Sequence, residues 1–157
     1  MKIYHLSCLM LFPLMVKSAE LAPFTTDGCS AFPDGTLKEN QLWLGCCIAH
    51  DRDYWAGGTK EERKQSDKRL EQCVSQLGKE KLSKIMYMGV RLGGTPFLPT
   101  SFRWGYGWSE SRGYKPLTET EQKLVEQAWK RSDYYQHNPQ KKSQDKNSKC
   151  EPLSIPE

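Results

Sequence analysis

Histidine is scarce in this chain, with three in 157 residues, at positions 5, 50 and 137. A His–Asp metal phosphohydrolase needs several imidazoles in one place, so that chemistry is excluded. Long apolar runs are missing as well: the stretch Leu6 to Val16 covers about eleven residues, too short to span a bilayer. Neither charge sign dominates. Against 19 Asp plus Glu stand 23 Lys plus Arg, a formal net charge of +4, which is too small an excess to argue for a nucleic-acid partner. The six cysteines do not show the paired C-x₂-C spacing usual in zinc sites. No internal repeat is present. Mean hydropathy is −0.74, so a thin core is expected and covalent staples would matter.

What is there begins with a processing signal. A weakly basic opening, the apolar run and the small residues Ser18 and Ala19 mark residues 1–19 as a secretory signal peptide. Pro13 and the shortness of the run argue against a retained anchor, so no transmembrane segment is expected after cleavage. The chain is therefore expected to be secreted or periplasmic. Loss of Lys2 and Lys17 lowers the net charge to about +2 in a mature chain of roughly 138 residues. That length holds one small domain, placed at 20–136. The polar, lysine-rich and Pro-punctuated stretch 137–157 is expected to be a disordered tail.

The rest is organised around Cys46-Cys47-Ile48-Ala49-His50-Asp51-Arg52-Asp53-Tyr54. Residues Gln41 to Ala56 read as a helix with a Gly57-Gly58 stop. Residues three and four apart on a helix share a face, so Cys47, His50, Asp51 and Tyr54 point roughly the same way. A second helix follows, with Thr59 and Glu62 as a capping box and an end near Gln76. Asp67, Leu70 and Val74 share its face, and a carboxylate on an apolar face demands a partner. In an oxidising compartment the five cysteines left after cleavage favour disulfides, with Cys150 odd in the tail. A zinc cluster of Cys29, Cys46, Cys47 and Cys73 is the competing possibility, and sequence alone does not choose a disulfide connectivity.

Cys-Cys-x-x-His-Asp-x-x-Tyr resembles the active-site helix of the secreted phospholipase A2 superfamily, and Asp67, six residues before Cys73, is similar to that family's second-helix carboxylate. The resemblance covers mainly residues 27–74. It implies a mainly α fold: an antiparallel two-helix core linked by disulfides, a preceding calcium-type loop and extra C-terminal helices. It implies the pairings Cys29–Cys47 and Cys46–Cys73. It implies His50 as general base on water, Asp67 orienting it and Tyr54 bonded to Asp67. Calcium would sit on Asp51 and the backbone carbonyls of Gly28, Ser30 and Phe32, with loop N–H groups near Cys29 and Ser30 as further donors. Ser30 and Phe32 depart from the family's loop glycines, and Pro33 restricts the backbone at Phe32. The two cysteine positions of a further family disulfide hold Asp53 and Ser66, a pair placed to hydrogen-bond instead.

Beyond Gly78, Lys79 to Leu92 reads as a third helix. An aromatic, Gly- and Pro-rich stretch follows from Thr95 to Trp108, suited to packing over helices or to a membrane interface. Thr118 and Glu121 form another capping box, opening a helix expected to reach Tyr134 or Tyr135. The function implied is hydrolysis of phospholipid acyl esters at a membrane surface. The alternative is a catalytically inactive domain of the same type that binds lipid or protein. A purely structural disulfide module would leave His50, Asp51 and Asp67 unexplained.

Overall fold

A computed structural model describes residues 20–138, so the signal peptide and nearly all of the tail lie outside the described residues. Five helices follow in order: α1 Leu44–Ala56, α2 Lys60–Gln76, α3 Glu80–Gly93, α4 Glu119–Arg131 and α5 Asp133–His137. Among the described residues there is no strand, only an isolated bridge between Leu21 and Trp108. None of the helices described is long and apolar enough to cross a membrane.

α1 starts three residues later than the sequence suggests. Gln41–Trp43 forms a turn because Trp43 is held from outside the helix. Its indole N–H donates to the Pro33 carbonyl at 2.7 Å and its backbone N–H to that of Asp34 at 3.1 Å. At the other end Gly57 adopts φ +73° and its N–H closes on Asp53 O at 2.9 Å. The Thr59–Glu62 capping box opens α2 three residues on. Cys46–Cys73, His50–Asp67 and Tyr54–Arg63 pair the two helices at steadily converging positions, so α1 and α2 run antiparallel. A second disulfide ties Cys29 of the preceding loop to Cys47. These are the two pairings that the resemblance implies.

Two apolar clusters flank α1. Trp43, Cys46 and Cys47 pack with Leu70 and Val74 of α2 and Met86 of α3. On the opposite side Ile48 and Trp55 pack with Phe24 and Trp129 of α4. The aromatic stretch closes the end of α1, where the last helical carbonyls lack partners within the helix. Gly105 N–H donates to Tyr54 O at 2.6 Å, Gly107 N–H to Trp55 O at 3.1 Å, and the Trp108 indole to Ala56 O at 2.7 Å. Trp104 and Trp108 are buried in that role, while Phe97 and Phe102 stay exposed.

The last expected helix divides. Ser132 leaves the helical region, at φ −65° and ψ 145°, and its side chain caps α5 by accepting from Tyr135 N–H. Its hydroxyl also donates to Trp129 O at 2.6 Å, closing α4 where that helix presents Trp129 to the core. His137, assigned to the tail on sequence, is the last residue of α5.

Candidate active site

His50, Asp51 and Tyr54 lie on the side of α1 that faces a cavity of about 280 Å³. Gly28, Ser30 and Phe32 border the same cavity, so of the residues expected to act in catalysis or calcium binding all but Asp67 line it. Its apolar walls come from Leu70 of α2, Met86 and Val90 of α3 and Phe102 of the aromatic stretch. α3 comes close enough to form a wall because Gly94 follows it without a side chain; a Cβ there would strike the Tyr54 ring.

Asp67 lies behind His50 and is fully buried. Its Oδ1 is 2.9 Å from His50 Nε2 and accepts from the Tyr54 hydroxyl at 2.8 Å. Its Oδ2 accepts from Arg91 Nη1 at 2.6 Å. Burial pushes the Asp67 carboxyl up, but the bonds from His50, Arg91 and Tyr54 outweigh it and hold the group below the usual carboxylate range. An ionised Asp67 accepts only, so His50 Nε2 is the donor in this bond, and in the neutral imidazole the lone pair falls on Nδ1. No described residue hydrogen-bonds Nδ1. Tyr54 is itself pushed up, first by burial and then by the Asp67 charge, so it stays a neutral donor.

Two arginines complete the cluster, and neither was singled out from the sequence. Arg63 is 2 % exposed and donates through Nε to the Tyr54 oxygen at 3.0 Å. Its other nitrogens reach Tyr114 Oη at 2.7 Å and the carbonyls of Val90 and Arg91 at 2.8 and 2.9 Å. A signal for Arg63 existed: it precedes Asp67 by four residues on one face of α2, with Leu70 and Val74 continuing that face. Arg91 carries no comparable local sign, because its partner sits on another helix.

The loop before α1 reaches a left-handed turn with serine rather than glycine at position 30. Gly28 has φ +79° and Ser30 φ +51°. Gly28 is required there twice over, since a Cβ would also collide with the Asp34 carboxylate. Asp34 in turn accepts the Cys29 N–H at 2.8 Å, which withdraws that N–H from the set of expected donors and leaves Ser30 N–H. The expected Asp53–Ser66 hydrogen bond is also not formed. Asp53 pairs with Arg69 at 2.7 Å, whereas the Ser66 hydroxyl is buried with no partner among the described residues.

No group of three or more His, Cys, Asp or Glu side chains gathers as metal ligands among the described residues, so a cation here would depend on backbone oxygens. The Cys29, Pro33 and Asp34 carbonyls are engaged, while those of Gly28, Ser30 and Phe32 accept no hydrogen bond from a described residue. Asp51 bonds Thr26 Oγ1 at 2.6 Å. Burial raises its carboxyl to about 7 against that bond, with the charges of Asp27 and Asp34 adding to the rise. These three carbonyls and the Asp51 carboxylate border the same cavity, and oxygen donors of this kind are what a hard divalent cation takes.

Comparison with known proteins gives no matching family model, no matching characterised protein and no matching solved structure.

Proposed function

We propose that this chain is a secreted phospholipase A2-like hydrolase of phospholipid acyl esters, acting at the sn-2 position. One observation carries the proposal: an imidazole, tied through Nε2 to a buried carboxylate, stands at the polar edge of an apolar cavity. Such an imidazole is a general base with its orientation and tautomer already fixed. Nδ1 of His50 takes a proton from water as the oxygen attacks the ester carbonyl. It returns that proton to the leaving glycerol oxygen, giving a free fatty acid and a lysophospholipid. No serine nucleophile is needed. Tyr54 steadies Asp67, and Ser30 N–H supplies a donor for the oxyanion. Asp51 and the carbonyls of Gly28, Ser30 and Phe32 would hold calcium, which when bound supplies positive charge for the phosphate and the developing oxyanion.

Leu70, Met86, Val90 and Phe102 provide an apolar surface for an acyl chain. Met88 and Leu92, each next to a cavity-lining glycine of α3, are exposed and apolar, as suits a substrate lying in a membrane surface. A domain of the same type that binds lipid without turnover is the second reading. It is favoured by the Cys29 N–H being spent on Asp34. Fatty-acid release from mixed phospholipid vesicles, with calcium and with chelator, tests both. Calcium-dependent release of the sn-2 acyl chain supports the hydrolase; vesicle binding by folded protein without release supports the alternative.

A further inference from the structure

The Asp67 carboxylate has two oxygens, and their duties differ. Oδ1 serves both His50 and Tyr54, while Oδ2 has one donor, Arg91 Nη1. Asp67 is wholly excluded from solvent, so Arg91 is the donor that Oδ2 has in place of water. An unbonded carboxylate oxygen in that position drives the group to rotate or to take up a proton, and either change removes the anion that His50 Nε2–H faces. Arg91 is itself fixed in place. Arg63, on the helix that carries Asp67, donates to the carbonyls of Val90 and Arg91, which locks the last turn of α3 against α2.

We propose that Arg91 is a positioning residue for the catalytic base: it holds Asp67 as a charged acceptor turned toward His50, which makes α3 part of the site. The catalytic half of this inference rests on the hydrolase proposed above. Arg91 lies outside the stretch 27–74 that carries the family resemblance, so its role comes from the structure. Only one of its nitrogens meets Asp67, so a lysine can supply the same single charged donor.

The experiment compares the full mature chain with Arg91→Gln, Arg91→Met and Arg91→Lys, taking Arg112→Gln as a control that breaks an ion pair elsewhere. Proton NMR with ¹⁵N labelling follows the low-field Nε2–H signal of His50, assigned by its loss in His50→Gln. Fatty-acid release from phospholipid vesicles gives kcat and KM. The expected result is a displaced or lost Nε2–H signal in whichever of the Gln and Met variants folds. Their kcat falls about 10- to 100-fold, the worth of one charge-assisted hydrogen bond, with KM nearly unchanged. Arg91→Lys keeps the signal and most of kcat, and Arg112→Gln alters neither. An unmoved signal in a folded neutral variant overturns the inference, as does equal loss in the Lys and neutral variants. If the wild type releases no fatty acid, the hydrolase proposal fails while the NMR signal still decides whether Arg91 positions Asp67.

Discussion

On one side of α1, Ile48 and Trp55 meet Phe24 and Trp129, with rings of Phe24 standing edge-on to Trp55 and Trp129 at 5.7 and 5.1 Å. On the other, His50 and Tyr54 meet Asp67, backed by Arg63 and Arg91. The first side buries apolar area, the dominant favourable term in folding. The second buries charge next to an apolar cluster of its own, Trp43, Leu70, Val74 and Met86, and the desolvation of that charge offsets much of what its ion pairs contribute. Both disulfides lie on that second side, at Cys46 and Cys47. The two sides are separated by the thickness of one helix, and the one that buries charge is also the stapled one.

That contrast can be broken from either side. Trp55→Ala should destabilise by about 3–5 kcal/mol, as aromatic truncations in cores do, while the fraction that stays folded keeps its hydrolytic rate. Thermal melting checks the first part; a melting curve like the wild type's would mean that the aromatic side contributes little. Cys73→Ser should free Cys46 and cost about 2–5 kcal/mol, as loss of a native bridge does in small secreted domains. An unchanged thiol count and melting point would contradict the staple. Calcium sharpens the contrast, since only the site side should respond. At a hundred times its Kd the ion should add about 2.7 kcal/mol to wild-type stability and nothing to Asp51→Asn. Equal shifts in both proteins would place calcium elsewhere.

The smallest effect belongs to neither side. Arg112 holds Glu121 in a bidentate pair and, against slight burial, brings its carboxyl from 4.5 down to about 2. A folded value below the unfolded one means stability that is complete above about pH 4.5 and lost as pH falls toward 2. Glu121→Gln should flatten the acid slope in that window alone, and weakly, because solvent screens the pair. A difference that persists unchanged through the window would show a role other than ionisation.

The sequence carried those parts whose causes are local. Both capping boxes, Thr59–Glu62 and Thr118–Glu121, are set by residues three apart and open α2 and α4 where expected. The Gly57 stop and the shared face of His50, Asp51 and Tyr54 follow from helix geometry in the same way. What stayed hidden depends on distant partners. Trp43 delays α1 through the Pro33 and Asp34 carbonyls. Ser132 divides the last helix where Trp129 must enter the aromatic cluster. Arg91 reaches Asp67 only once α3 has docked, and Asp34 claims the Cys29 N–H through a turn that propensity does not specify. Asp53 and Ser66 face different surroundings, one near Arg69 and one sealed in the interior, which spacing along two helices does not reveal.

His50, tied to Asp67, is the proposed base for ester hydrolysis. The most direct test of that role is fatty-acid release from phospholipid vesicles by folded, oxidised wild type and His50→Gln, with melting curves run alongside. The expected result is release by the wild type and a loss of about 10²–10⁴-fold in His50→Gln, the usual worth of a general base, with little change in melting temperature. Wild-type turnover by the folded variant would contradict it.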